Sequence, residues 1–379
     1  MNGWSGMNVV HFALDALAAL WIVVTFLPLW RTPRWWVRSF DFPRVQIAVL
    51  IVLTMVGLFF FAELRPFGDL YLFAFLGIAL AYQLFRILPY TPLWRVQVRP
   101  AKDALRGEGF RLLVTNVQMD NPDKERWLRV IQANEADAVF AVETDVAWIE
   151  AGKALYDTYP YVVEIPQDNT YGMVLYSRWP IAQWTIKHLI DPDVPSLWAT
   201  LCSPLGHRVE IVGLHPRPPR PDVGQDSDLR DAELVLAAKT IATMPPERPV
   251  VLCGDLNDVA WSSSTRLFQR LSGLLDPRRG RGLYSTFHAK NWLLRWPLDH
   301  IFHSDDFTLV ELRRVEPYGS DHFGIFVHLQ MSPNAEALQK APEATTDDLE
   351  TAAEIVAETF ENEAELSEEE RQERNEADV

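Results

Sequence analysis

Cysteine is scarce in this chain, and basic residues are outnumbered by acidic ones. Only Cys202 and Cys253 occur among 379 residues, and both lie inside apolar runs. We expect buried free thiols rather than a disulfide, which suits a reducing compartment. The formal net charge is −16. Because a general basic excess is lacking, the overall field does not favour nucleic acid, although a local basic cluster could still bind it.

The acidic excess lies mainly at the carboxyl-terminal end. Residues 331–379 carry 16 Asp/Glu against three Lys/Arg and contain almost no aromatic side chains. A segment of this composition is either disordered or a solvated acidic helix, because it offers little apolar surface to bury. We expect disorder in this tail, and the sequence does not identify its partner.

The amino-terminal hundred residues are instead dominated by apolar stretches, at 9–30, 45–62 and 67–85. The second and third approach the roughly 20 residues that a helix needs to cross a bilayer, while Asp15 inside the first leaves its spanning open. No Lys or Arg precedes the first stretch, so a cleaved signal peptide fits poorly. We expect two to three transmembrane helices in residues 1–100. A buried helical hairpin of a soluble protein is the alternative.

Basic residues in the short loops predict the orientation of these helices. The 31–44 loop contains four arginines and basic residues follow the third stretch, whereas the 63–66 loop has Arg65 opposed by Glu63. Cytoplasmic loops of membrane proteins carry an excess of Lys and Arg. We therefore expect a multi-pass protein in contact with the lipid bilayer, with its carboxyl-terminal domain in the cytoplasm.

From residue 110 the long apolar runs give way to short ones separated by turns. Strands are predicted at 110–117, 138–143, 172–177, 196–202, 208–215, 249–256, 298–304, 307–316 and 324–330, and helices at 123–134, about 145–155, 227–244 and 262–274. Strands outnumber helices, and short turns join most neighbours. This pattern favours an α+β or α/β sandwich with sheets inside and helices outside, and not a Rossmann arrangement.

Several predicted strands end in carboxylates, amides and imidazoles, which indicates a functional site at one edge of the sandwich. These residues are Asn116, Glu143, His215, Asp255, Asn257, Asp299, Asp321 and His322. Each alone has a structural explanation, since Asp and Asn favour turns and Glu143 can cap the helix that follows it. Their joint occurrence at strand ends favours a site.

The same set of side chains suits the hydrolysis of a phosphoester. Mg²⁺ prefers one or two carboxylates with waters and phosphate oxygens, and Glu143 and Asp321 fit that role. Asn116, Asn257 and His215 can donate to the charge that develops on the phosphoryl group. A histidine paired with a carboxylate supplies a base of fixed tautomer.

Seven short motifs, in this order, resemble the endonuclease/exonuclease/phosphatase superfamily. They are "TNV", "VFAVE", "YGMVLYSRWPI", "GLHPRP", "LCGDLN", "PLDHIF" and "SDHFGI", and the resemblance covers about residues 108–330. It implies the deoxyribonuclease I-like fold, a four-layer α/β-β/α sandwich of the α+β class, here preceded by transmembrane helices. The apolar amino-terminal region is similar to that of the membrane-anchored bacterial subgroup, which implies the cell inner membrane.

The resemblance also implies roles for individual residues. Glu143 matches the principal Mg²⁺ ligand, with Asn116 and Asp321 beside it as metal positions; Mn²⁺ is an alternative ion. His215, Asp255, Asn257, Asp299 and His322 match the catalytic positions, in which Asp255 and Asn257 position the attacking water and Asp299 orients His322. Arg217, Tyr171 and Asn121 lie next to these motifs, and we expect them to contact substrate.

The resulting hypothesis is a membrane-anchored Mg²⁺-dependent phosphodiesterase with a catalytic domain at 101–330 and an acidic tail at 331–379. Nucleic acid and a lipid headgroup or other small phosphoester remain open as substrates. The stretch "DPRRGRG" at 276–282, with Lys290 and Arg295 further on, could cradle a polyanion or touch a lipid surface, or be an ordinary solvated loop. A catalytically silent membrane scaffold that recruits partners through the acidic tail is the alternative function.

Overall fold

The computed structural model describes residues 6–61, 68–101, 109–220, 225–332 and 335–365. The strands are β1 Gly109–Asn116, β2 Ala138–Val142, β3 Tyr161–Ile165, β4 Met173–Ser177, β5 Ile181–Lys187, β6 Ser196–Cys202, β7 Arg208–Gly213, β8 Val250–Asp255, β9 Asp299–His303, β10 Phe307–Arg314 and β11 Ile325–Met331. The helices are α1 Gly6–Phe26, α2 Trp35–Arg38, α3 Arg44–Phe61, α4 Gly68–Ile87, α5 Lys124–Asn134, α6 Val146–Gly152, α7 Asp228–Ala242, α8 Ser263–Ser272, α9 Ala335–Leu338 and α10 Thr346–Glu365.

The strands form two sheets that pack face to face. One sheet has the order β10-β11-β1-β2-β4-β3, and the other has the order β5-β6-β7-β8-β9. Apolar side chains of both sheets form a shared core, in which Phe140 of the first sheet and Ile211 and Cys253 of the second are buried. This pairing of two sheets around one apolar layer is the predicted sandwich.

Helices cover the outer face of each sheet and complete the four layers. α5 and α6 pack Trp127 and Trp148 onto the six-stranded sheet. α7 and α8 pack onto the five-stranded sheet through residues such as Leu234 and Phe268. The observed architecture is therefore the α+β, four-layer fold that the sequence predicted.

Two strands, β3 and β5, were missed by the sequence prediction. Both lie at the edge of a sheet. Their middle residues are largely exposed, as Glu164 in β3 and Trp184 in β5 show. An edge strand needs no continuous apolar pattern, because one of its sides and much of its surface face solvent. The pattern that revealed the central strands was therefore weak here.

The prediction of disorder in the acidic tail was wrong for 346–365, which form α10. Ala352 and Thr359 are buried, and Ile355 and Val356 pack against the cluster formed by α7 and α8. These positions follow the i, i+3, i+4, i+7 spacing of a helix with one apolar face. Asp348 binds Arg270 of α8 at 2.7 and 2.9 Å. The average composition concealed a narrow stripe; residues 366–379 lie outside the described part.

The three predicted membrane helices appear as α1, α3 and α4. The segments Val9–Leu29 and Leu70–Tyr90 are long and apolar enough to cross a membrane. α3 reaches this standard only together with the preceding Trp35–Asp41 segment, from which it is bent by 73°. The amino-terminal region thus has two helices of membrane-spanning character, or three if the bent pair is one span.

A buried polar cluster joins this helical region to the sandwich. Arg38 donates to Ser264 at 2.8 Å and faces the carboxylates of Asp41, Asp231 and Asp258 at 3.3 to 3.9 Å. The indole of Trp261 donates to the Asp41 carbonyl at 2.6 Å. These contacts attach the helices close to the loop that follows β8.

Candidate active site

The predicted site residues meet at one edge of the sandwich because of strand direction. β1 and β2 are parallel, as are β7 and β8, so their carboxyl ends lie side by side. β9 and β11 run antiparallel to these strands and therefore begin at the same edge. Asp255 at the end of β8 lies directly opposite Asp299 at the start of β9. The topology thus brings together residues that are up to two hundred positions apart.

Asn116 ties the two sheets together at this edge. Its amide nitrogen donates to Glu143 Oε1 at 2.6 Å and to Asp255 Oδ2 at 3.1 Å. Its amide oxygen accepts the backbone N–H of Gln118 at 2.9 Å. Asn116 therefore positions the two carboxylates here, and the predicted role as a metal ligand does not fit this orientation because its oxygen is already engaged.

His322 lies between two carboxylates. Its Nδ1 is 2.7 Å from Asp299 Oδ2, and its Nε2 is 3.6 Å from Asp255 Oδ2. Burial lowers the pKa of His322, but the negative charges of Asp299 and Asp255 outweigh burial and raise it to about 10. The imidazole is therefore a cation near neutral pH in the metal-free protein, and it can donate to an anionic substrate.

Glu143 stands in a sharp turn directly after β2. Its backbone φ is 63°, a left-handed conformation that a non-glycine residue adopts at a cost. Its Oε2 accepts the backbone N–H of Met119 at 3.2 Å. Burial raises the pKa of Glu143 to about 7, although the hydrogen bond from Asn116 opposes this shift. A nearby cation would restore the ionised form.

Two glycines make the close approach of these turns possible. A Cβ on Gly172 would lie 2.0 Å from the carbonyl oxygen of Thr144, the residue after Glu143. Gly254 has φ +140°, and its Cβ would lie 1.9 Å from the Leu214 carbonyl oxygen, next to His215. The glycines of the "YGMV" and "CGDLN" motifs thus set the positions of Glu143, His215 and Asp255.

The donor chemistry of the site fits a hard divalent cation. Asp255, Asp299 and His322 place one ligand atom each within 4.8 Å of one another. The Oδ1 atom of Asp299 is buried and has no hydrogen-bond partner among the described residues. A protonated imidazole has no lone pair for a metal, so the oxygens of Glu143 and Asp255 are the better donors. Asp321 lies close enough to raise the pKa of Glu143 through its charge.

His215, Tyr171 and Arg217 form a row at one side of the site. The His215 and Tyr171 rings are 5.6 Å apart, and the Arg217 guanidinium lies 5.1 Å from the Tyr171 ring centroid. Arg217 also forms an ion pair with Asp191 at 2.8 Å. Burial lowers the pKa of His215, so its imidazole is neutral near pH 7. Arg217 thus reaches the site through Tyr171 while its charge is balanced from behind.

Asn121 does not fit its predicted contact with substrate. Its amide nitrogen donates to the carbonyls of Val117 and Tyr318 at 3.1 and 3.3 Å, and its oxygen accepts the Asp123 N–H at 3.0 Å. The side chain is buried. It holds two loops together below the site, and we drop it from the substrate-binding set.

Asn257 holds the loop after β8 in place. Its backbone N–H donates to Asp255 Oδ1 at 2.9 Å, and its side-chain nitrogen donates to the Pro216 carbonyl at 3.0 Å. The φ of Asn257 is 50°, a second left-handed position in the site. This conformation fixes the Asp255 carboxylate from one side while Asn116 holds it from the other.

Two residues of the site, Gln118 and Phe287, were missed by the sequence analysis. Gln118 Oε1 accepts the Asp321 N–H at 2.9 Å and the Lys290 ammonium at 3.0 Å. The Phe287 ring lies 5.0 Å from the His322 ring. Gln118 follows Asn116 by two positions in "TNVQMDN", which was the available signal. No motif pointed to Phe287.

The sequence model of the Endonuclease/Exonuclease/phosphatase family matches residues 113–322. This match covers more than half of the chain, and the chain belongs to this family. It spans the seven motifs and the whole set of side chains described above. Members of the superfamily are phosphoester hydrolases and typically depend on a divalent metal, which supports phosphodiester hydrolysis by this protein.

Solved structures support the same fold. The structure of a humanized TDP2 from D. rerio, carrying 14 mutations, is 17% identical with a TM-score of 0.50, and the match covers 59% of this chain and 100% of that one. The human Nocturnin catalytic domain with bound sulfate is 16% identical over 59% of this chain and 95% of its own, with a TM-score of 0.48. No curated protein matches the sequence. At these identities the likeness to TDP2 supports the fold alone.

Proposed function

We propose that this chain is a membrane-anchored phosphodiesterase that depends on Mg²⁺ or Mn²⁺. The observation that carries this proposal is the cluster of Glu143, Asp255, Asp299 and His322, linked by hydrogen bonds across two sheets. Acidic side chains buried together are costly to a fold unless a function or a cation compensates for them. Membership of a hydrolase family supports the same activity.

The side chains would divide the work by charge. Asp255 is the acceptor for a proton of the attacking water, because Asn116 and the Asn257 N–H fix both of its oxygens. His322, held as a cation by Asp299, donates to a phosphoryl oxygen. Neutral His215 and the amide of Asn257 lie on the facing wall, where they contact the phosphate or the leaving group.

Glu143, Asp255 and Asp321 would hold the cation. When bound, a divalent ion supplies charge stabilisation at the phosphoryl group and orients the substrate. Glu143 is the central ligand in this proposal, because its two oxygens point into the site from a turn that Gly172 permits and Met119 supports.

The amino-terminal helices would fix this site to a membrane. α1 and α4 have the length and hydropathy of spans, and α3 exposes a row of large apolar side chains that includes Leu53 and Phe59. Arginines in the 31–44 loop and at the end of α4 place the catalytic domain in the cytoplasm under the positive-inside rule. A reporter phosphatase fused after residue 365 should be inactive outside the cytoplasm; activity there would reverse this orientation.

The full-length protein should hydrolyse bis(p-nitrophenyl) phosphate with Mg²⁺ and lose this activity in EDTA. His322→Ala and Glu143→Gln should each lower kcat/KM by about a hundredfold or more, because each removes charge from the transition state. His207→Ala is the matched control, since His207 lies in the exposed turn at the opposite end of β7. Retained hydrolysis in both site variants would contradict the assignment, and absence of any hydrolysis in the wild type would favour the scaffold alternative.

A further inference from the structure

The segment "FHAKNWLLRW", residues 287–296 (the 287–296 loop), carries an unusual apolar tip. Trp292, Leu293 and Leu294 are 75%, 57% and 46% exposed. Three consecutive large apolar side chains facing solvent indicate an interaction surface. The base of the loop is closed by backbone hydrogen bonds between Phe287 and Trp296 and by stacking of their rings. The tip is thus held outward on a paired base.

The base of the 287–296 loop forms a wall of the candidate active site. Ala289 donates its N–H to the Asp321 carbonyl at 2.6 Å, and Lys290 reaches Gln118 at 3.0 Å. Phe287 packs beside His322. The apolar tip and the predicted catalytic histidine are therefore parts of one connected structure, and the position of the tip determines what can approach the site.

The tip also contacts the start of α3. Gln46 donates its side-chain N–H to the Leu293 carbonyl at 2.8 Å, and Phe42 packs edge-on against Trp296 with 5.7 Å between ring centroids. Val49 and Leu50, at i+3 and i+4 from Gln46, lie on the same helix face. They are 54% and 37% exposed. Because three residues advance a helix by about 4.5 Å, the apolar tip and this apolar face are continuous.

Basic side chains flank the tip. Lys290 precedes it, and Arg295 follows it. An apolar tip with tryptophan and flanking Lys or Arg is the composition of a segment that lies in the headgroup region of an anionic bilayer. The neighbouring 276–282 stretch is excluded from this role, because Arg278 is buried against Asp276 and Arg281 bonds to the Val98 carbonyl.

We propose that the 287–296 loop enters the lipid interface beside α3 and sets the active site against the bilayer, so that its substrate is the phosphodiester of a phospholipid headgroup. This inference rests on the proposed function. Water would add across one P–O ester bond: its oxygen joins phosphorus, and the departing alcohol takes up the proton. A nucleic acid chain has no such reason to meet an apolar tip, and the negatively charged body does not attract it.

Membrane entry of the tip can be measured without activity. Trp292→Cys, in a Cys202→Ser background, would be labelled with nitrobenzoxadiazole in the full-length protein in phosphatidylcholine/phosphatidylglycerol vesicles. Leu205→Cys is the control, because Leu205 is also exposed (56%) but lies in the β6–β7 turn. Lipids with a 5-doxyl quencher should quench the label at 292 and leave the label at 205 unchanged. Equal quenching at the two positions would overturn the proposal.

The substrate class is tested in the same vesicles by phosphorus release from the phospholipids. The variant W292S/L293S/L294S should lose lipid hydrolysis by at least about tenfold while it hydrolyses soluble bis(p-nitrophenyl) phosphate within about twofold of wild type. The control W184S/L205S removes exposed apolar side chains elsewhere and should retain both activities.

The two hypotheses fail in different ways. Wild-type protein that cleaves the soluble diester and DNA, but not phospholipid, would overturn the lipid inference and leave the phosphodiesterase standing. Lipid hydrolysis that the loop variant retains in full would also overturn it. Wild-type protein without activity on any diester would contradict the proposed function itself.

Discussion

Asp299 and Asp255 enclose His322 at 2.7 and 3.6 Å, in a pocket that excludes most solvent. An imidazole in this position is stabilised as a cation, because both neighbours are carboxylates. The folded-state pKa, about 10, is above the ordinary value of 6.5. Protonation of His322 therefore stabilises the metal-free fold fully below about pH 6.5, and this contribution is lost as the pH rises through about 10.

The first prediction follows from this arrangement. In metal-free protein, the His322 ring should titrate far above pH 7, and Asp299→Asn should lower its pKa by at least one unit because a neutral amide no longer stabilises the cation. NMR of ¹³C-labelled histidine checks this, with His322→Gln assigning the signal. A ring that titrates near 6.5 in the unmodified protein would show that the carboxylates do not hold the proton.

Glu143 gives the second prediction at this scale. Because burial raises its pKa to about 7, the carboxyl must lose a proton before it can bind a cation. The affinity for Mn²⁺ or Mg²⁺ should fall as the pH is lowered below 7, by up to about tenfold per pH unit. Calorimetry at pH 6 and pH 8 measures the change. Glu311→Gln, an exposed site on β10, should behave as wild type, whereas pH-independent binding would contradict a role for Glu143.

At the scale of elements, tight backbone turns carry the site. Gly254→Ala should destabilise the fold by more than about 3 kcal/mol, because the new Cβ would meet the Leu214 carbonyl and the φ is unfavourable. Gly206→Ala is the control: its φ is +88° but its Cβ has no neighbour within 4 Å, so only about 1 kcal/mol is expected. Chemical denaturation in detergent compares them. Equal losses would show that the close approach at Gly254 carries no cost.

α10 shows that a strongly acidic segment can still be a structural element. Ala352 is fully buried against α7 and α8, while Ala353 faces solvent. Ala352→Glu should therefore lower the free energy of unfolding by about 2–3 kcal/mol, since it buries a charge without a partner. Ala353→Glu adds the same charge at an exposed site and should be nearly neutral. Equal effects in thermal unfolding would show that α10 does not pack as described.

At the scale of the whole molecule, the helical region and the sandwich meet around Arg38. Its guanidinium is the shared partner of Asp41, Asp231 and Asp258. Arg38→Met should cost about 3–5 kcal/mol, because three carboxylates would stay buried without their cation. The exposed Arg34→Met should cost little. Limited proteolysis should cut Arg38→Met near residues 30–44 much faster than Arg34→Met; equal rates would argue against this junction.

The sequence predicted much of the fold because the central strands repeat an apolar pattern that only a buried sheet needs. β1, β2, β4 and β6 to β11 were expected within a few residues of their observed limits. The edge strands β3 and β5 escaped because their exposed residues interrupt that pattern. The apolar face of α10 escaped because the tail was judged by its average composition.

The site was predictable as a set of residues but not as a geometry. Asn116, Glu143 and Asp255 stand in recognisable motifs, yet their contacts depend on the packing of one sheet on the other. For the same reason Asn121 was wrongly expected to face substrate, since sequence proximity does not tell in which direction an amide points. Gln118 and Phe287 belong to the site only because distant loops meet there.

The sequence by itself determined the class of fold, the apolar amino-terminal helices and the residue types of a phosphoesterase site, because these depend on local patterns along the chain. Only the tertiary structure decided which atoms face each other. It directed the amide nitrogen of Asn116 toward two carboxylates and enclosed His322 between Asp299 and Asp255. It also placed the exposed tip of the 287–296 loop beside α3, because contacts between residues nearly 250 positions apart form only when the chain has folded.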